Sequence, residues 1–97
     1  MATYILLVNF TDQGVRKAED SSKAVDEYKA MAKKCGVSVK DLYFTLGQYD
    51  AFAIVEAPDT TTVTALALSV GKLGSVRTQT LPAFSAADMK TIIGKMK

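Results

Sequence analysis

The stretch VKDLYFTLGQYDAFAIVEAP, running from Val39 to Pro58, decides the fold. Leu42, Phe44 and Leu46 fall on one side of an extended chain, and Tyr43 and Thr45 fall on the other. That is the two-residue period of a strand, here spanning Val39 to Leu46. After Gly47, Gln48, Tyr49 and Asp50 the alternation resumes. Phe52 and Ile54 share one face, and Ala51, Ala53 and Val55 share the other, until Pro58 ends the run. Strands joined by so short a turn can only pair antiparallel. Gly47 supplies the positive φ that such a turn often needs.

Before this hairpin, Thr3 to Phe10 reads as a first strand. Its centre, Tyr4 to Val8, is apolar without interruption, so cover is expected on both faces. Thr11 to Ser22 is a polar connector with room for a short helical turn. Asp20, Ser21 and Ser22 then offer N-cap oxygens. Ala24, Tyr28, Met31, Ala32 and Cys35 recur on one face of a helix, which Gly36 can end in a left-handed conformation. After the hairpin, Asp59 and Thr60 open a second helix whose buried stripe is Val63, Leu66, Ala67 and Val70, extended by Leu73. Val76 to Leu81 is a fourth strand, stopped by Pro82. Ser85 caps a last helix carrying Met89, Ile92, Ile93 and Met96.

The order is βαββαβ with an added C-terminal helix, which is an α+β, ferredoxin-like arrangement of one domain over residues 1–97. Right-handed crossovers place both main helices on one side of an antiparallel sheet of order 4-1-3-2. The other side then lacks cover, although its central strands are apolar. Either the C-terminal helix folds over it or a second copy does. Hydrophobic residues make up 48% of the chain, which favours the copy. The expectation is a homodimer, closed as a dimeric α+β barrel, or a larger even-numbered assembly.

The run Tyr43 to Pro58, with Gly47, Tyr49 and Asp50 at the turn and Glu56, Ala57 and Pro58 at the strand end, resembles the GYD-domain family. Thr11 to Gly14 and Gly74 to Thr78 are similar to the family's pattern as well, so the resemblance covers nearly the whole chain. It implies a fold of the dimeric α+β barrel kind and self-association. It implies no particular activity.

Composition excludes more than it assigns. The formal net charge is +2, with acids and bases interspersed, which makes no electrostatic case for nucleic acid. Lys33 and Lys34 sit at a helix end, where cations complement the dipole. The eight aromatics, four Tyr and four Phe, are scattered and form no base-stacking platform. No histidine is present, which removes histidine-dependent catalysis and haem or zinc ligation by that residue. Cys35 is the single cysteine and reads as a small buried hydrophobe. No phosphate-binding glycine loop occurs. No cofactor, metal or membrane is expected, and the expected location is the cytoplasm.

Five residues are candidates for a ligand site: Tyr43, Tyr49, Asp50, Glu56 and Arg77. Tyr49 and Asp50 put a hydroxyl beside a carboxylate at a pocket mouth, or else serve the turn alone. Arg77, on the fourth strand, either pairs with Asp50, Glu56 or an acid across an interface, or grips a carboxylate ligand. Glu56 acts as a base if buried and is a solvated strand end if not. Tyr43 lies opposite Phe44 and lines any barrel cavity. Arg16 and Lys17 read as solvated connector. Three functional classes follow. The first is a non-catalytic oligomeric module that binds a small molecule or serves a structural role. The second is a cofactor-free enzyme acting on a small organic acid or enolisable compound. The third is a stress-related or accessory protein that partners another chain, which would leave an apolar patch exposed in the homo-oligomer. No constellation specifies a reaction, which favours the module.

Overall fold

The computed structural model describes residues 1–97. Its elements are β1 (Ala2–Phe10), α1 (Asp12–Arg16), α2 (Ser21–Cys35), β2 (Ser38–Phe44), β3 (Ala51–Ala57), α3 (Thr60–Gly71), β4 (Val76–Ala83) and α4 (Ala86–Gly94), with one 3-10 turn at Ala18–Asp20. The four strands form one antiparallel sheet of order β2-β3-β1-β4, the expected order read from the other edge.

Local chemistry sets the element ends. Gly36 takes φ +85°, and Val37 N–H donates to the Ala32 carbonyl at 2.9 Å while Gly36 N–H donates to Lys33 at 3.1 Å. Those two bonds satisfy carbonyls that a helix end leaves open. Asp59 caps α3 by accepting from Thr62 N–H at 2.8 Å. Ser85 and Asp88 close a reciprocal capping box on α4. Two expected boundaries move. β2 stops at Phe44, and Leu46, assigned to the strand by its apolar character, is fully exposed in the turn. There the Thr45 hydroxyl donates to the Tyr49 carbonyl at 2.6 Å, and Gly47 turns the chain with φ +106°. At the other end β4 continues through Pro82 to Ala83. β4 is an edge strand, where a missing N–H costs no ladder bond on the open side.

The core lies between the sheet and α2 and α3. Tyr4, Leu6, Ala53, Val55 and Ala57 meet Ala32, Val63 and Leu66 there, all buried, with Tyr28, Met31 and Cys35 packed against them. The Tyr4 hydroxyl pairs with the Thr60 hydroxyl at 3.2 Å. α1 is locked to the loop before β4. Thr11 N–H donates to Ser75 O at 3.0 Å, and the Thr11 hydroxyl donates to Gly74 O at 2.6 Å. Gly14 is buried against that loop so closely that an added Cβ would lie 2.0 Å from Ser75 O. The segments Thr11–Gly14 and Gly74–Thr78, far apart in sequence, thus form one junction.

α4 does not fold over the sheet. None of its residues is buried; Ile93 is 56% exposed, and Met96, just past the helix end, is 73% exposed. The open sheet face has no cover from its own chain. No helix is long and apolar enough to cross a membrane.

Candidate functional site

The open face follows from strand alternation and register. β1 contributes Thr3, Ile5, Leu7 and Asn9, and β3 contributes Phe52, Ile54 and Glu56. β4 sets Arg77 beside Asn9, Gln79 beside Leu7 and Leu81 beside Ile5. β2 sets Tyr43 beside Phe52, and the two rings stack with centroids 5.3 Å apart. The centre of the face is therefore apolar, with Ile5, Leu7, Phe52, Ile54 and Leu81, and its rim is polar. That layout, an apolar middle inside a wet border, is the anatomy of an interface.

The five candidate residues do not converge on one point. Tyr43 and Arg77 stand on the opposite edge strands, about three strand spacings or ~14 Å apart. Tyr49 leaves the hairpin turn and its hydroxyl donates to Gln79 Oε1 on β4 at 2.9 Å. Since β1 lies between the hairpin and β4, the side chain spans β1 to get there. Asp50 is engaged by the backbone of β1. Its Oδ2 accepts from Phe10 N–H at 2.7 Å, and its own N–H donates to Val8 O at 2.8 Å. The carboxylate thus completes the β1–β3 ladder where a backbone acceptor runs out. Glu56 is not buried. It keeps 35% of its side-chain surface and pairs with Lys40 at 3.2 Å. A β-bulge between Val39 and Asp41 places Lys40 there. An ion pair this exposed contributes at most about 1 kcal/mol. Arg77 pairs with neither Asp50 nor Glu56, contrary to the within-chain ion pair read from the sequence, because their charges are already occupied by Phe10 N–H and Lys40. It is exposed, and it borders a shallow hollow of about 370 Å³ with Thr11, Gly74 and Thr78.

A partly open apolar cavity is on the other side of the sheet. It has a volume of about 230 Å³, lies between the sheet and α2, and touches none of the five candidates. Tyr28 lines it. Burial holds the Tyr28 hydroxyl un-ionised and pushes its pKa up from 10.0 to about 12. That hydroxyl has no hydrogen-bond partner. Sequence reading placed Tyr28 on the helix's core face and stopped there. The available signal was the small covered face of β3, made of Ala51, Ala53, Val55 and Ala57, which leaves room beneath α2.

A four-stranded antiparallel sheet with both main helices on one side and an apolar, uncovered second side defines a ferredoxin-like α+β protein. Two crystal structures share the fold, each with a TM-score of 0.62 and 21% identity. FFRP-DM1 aligns over 87% of this chain and 100% of its own, and a hypothetical protein from Pyrococcus horikoshii over 88% and 92%. The model of the GYD domain family matches residues 4–93, and this chain belongs to that family. It is also 36% identical, over 92% of this chain and 95% of the other, to the glutamine synthetase and cystathionine beta-lyase binding protein of Thermus thermophilus.

Proposed function

We propose that this protein is a non-catalytic binding module that pairs with itself through the open sheet face and docks on a metabolic enzyme. The observation that carries the reading is the full-length similarity to a protein named for binding glutamine synthetase and cystathionine beta-lyase. The side-chain chemistry supports it. Of the four polar groups that the enzymatic alternative needs, Tyr49 is held by Gln79, Asp50 by a backbone amide and Glu56 by Lys40, which leaves only Arg77 free within the chain.

Self-pairing rests on area. Four strands at ~4.8 Å and six residues at ~3.4 Å give a face of roughly 400 Å² in projection. A stable interface buries about 800 Å² per partner. The C-terminal segment is the natural source of the remainder, because Ile92 and Ile93 of α4 and Met96 just beyond it stay exposed in their own chain. In this arrangement two open faces stack about 10 Å apart and each α4 packs on the partner copy. The ends of the barrel, where Tyr49, Gln79 and Arg77 lie, stay available to the enzyme.

Titration calorimetry against purified glutamine synthetase and cystathionine β-lyase tests the docking. Saturable binding to either enzyme, lost on Arg77→Glu, is the expected result. No heat with either enzyme at concentrations of tens of micromolar contradicts it.

A further inference from the structure

The space beneath α2 is accounted for by neither self-pairing nor enzyme docking. Its origin is compositional. The covered face of the central strand β3 carries only alanines and a valine, and the exposed Ala24 of α2 adds only a methyl group to the lining. Leu6, Val8, Met31, Leu42 and Val70 complete the walls of a cavity of about 230 Å³. An apolar cavity of about 150 Å³ suffices to take up benzene. Phe44 and Leu73, 50% and 55% exposed, line the mouth through which the cavity opens to solvent.

The second observation is an unsatisfied donor. The Tyr28 hydroxyl is buried at the wall and bonds to nothing, whereas the other core tyrosine, Tyr4, has Thr60 as its partner. Phenylalanine would fill the same wall without stranding a polar atom, so the hydroxyl is a cost in the empty protein. The remaining polar lining residues are Glu27, Ser75 and Thr78, and no lysine or arginine contributes. An anion entering the cavity meets a carboxylate and no cation.

We propose that this cavity binds a small, uncharged, mostly apolar molecule with a single hydrogen-bond acceptor, of the class of a monocyclic ketone, ester or amide, with the Tyr28 hydroxyl donating to that acceptor. The hydroxyl is protonated, and so a donor, throughout the physiological range, and burial extends that state to higher pH. The site differs in place and in chemistry from the organic-acid pocket suggested by the sequence, which drew on the hairpin turn (Tyr49, Asp50) and on Glu56 and Arg77 of the opposite sheet face.

Three probes of equal heavy-atom count separate the terms: acetophenone has the acceptor, isopropylbenzene lacks it, and benzoate carries a charge. Methyl NMR reads the Met31 signal at the cavity, and Met89 on α4 and Met96 beyond its end, neither of them lining the cavity, serve as controls. Acetophenone shifts Met31 saturably, isopropylbenzene binds roughly 5- to 10-fold more weakly, and benzoate does not bind. Tyr28→Phe brings acetophenone down to the level of isopropylbenzene and leaves the latter unchanged. Ala24→Leu, which fills the cavity from the exposed helix, removes both. The proposal is overturned if neither neutral probe moves Met31, if benzoate binds as well as acetophenone, or if Tyr28→Phe leaves the ratio of the two neutral probes intact. None of these readouts depends on enzyme docking or on oligomer size.

Discussion

Gly14→Ala tests whether the junction of the Thr11–Gly14 and Gly74–Thr78 segments holds the fold together. An alanine Cβ at this position falls 2.0 Å from Ser75 O and 3.0 Å from Ser75 C, both backbone atoms. Since contacts under 3.0 Å are not tolerated, one backbone must retreat by about 1 Å. Neither can do so freely. Ser75 O accepts from Thr11 N–H at 3.0 Å, and Gly74 O accepts from the Thr11 hydroxyl at 2.6 Å. Overpacking of this kind costs about 1–3 kcal/mol, and a strained or broken hydrogen bond adds about 1 kcal/mol. A loss near 3 kcal/mol lowers Tm by roughly 12–24 °C in a domain of this size. Gly71→Ala is the matched control. Gly71 lies in α3 at ordinary φ with nothing within 4 Å of an added Cβ, so alanine there raises stability by about 0.5–1 kcal/mol. Thermal unfolding followed by circular dichroism measures both. If Gly14→Ala melts within 2 °C of the parent (a difference of about 0.5 kcal/mol or less), the close approach is not a constraint and the reasoning fails.

Two further outcomes follow from the side chains described. The folded state holds the Tyr28 proton to about 12, whereas the unfolded chain releases it near 10.0. Between those values the folded state binds more protons, so stability falls as pH rises, by up to roughly 2–3 kcal/mol. Tyr28→Phe flattens that decline in urea unfolding curves measured from pH 9 to 12. An identical slope in the variant rules out burial of the hydroxyl. Asp50→Ala deprives Phe10 N–H of its acceptor. It costs about 1.5–3 kcal/mol in urea unfolding and speeds hydrogen exchange at Phe10, and unchanged exchange there argues against the ladder role.

Much of the architecture is written locally. Gly36, Asp59 and Ser85 end or begin helices by bonds made within a few residues, so the sequence around each is sufficient. The strand order follows from connection handedness and from which strands are apolar on both faces. Leu46 and Pro82 misled because their fate depends on neighbours that composition does not reveal. Leu46 is pulled out of β2 by the hydrogen bonds of the turn, and Pro82 is tolerated because β4 is an edge. The same distinction separates the candidate residues. The strand pattern puts Tyr43, Glu56 and Arg77 on strands and Tyr49 in the turn, but the partners Phe52, Gln79 and Lys40 of Tyr43, Tyr49 and Glu56 come from register and a bulge. The cavity beside Tyr28 was the least legible feature. Alanines on a strand show that space is available, and only the packed structure shows that no facing side chain takes it.

The central claim is that the open face carrying Ile5, Leu7, Phe52, Ile54 and Leu81 joins copies of this chain into the form that docks on an enzyme. Native mass spectrometry of the parent and of Ile54→Arg tests it most directly. Ile54 is on the open face and outside the buried core, so the variant keeps its fold by circular dichroism. The account predicts an even-numbered oligomer for the parent and a folded monomer for Ile54→Arg. A monomeric parent, or an oligomer that survives the buried charge, contradicts it.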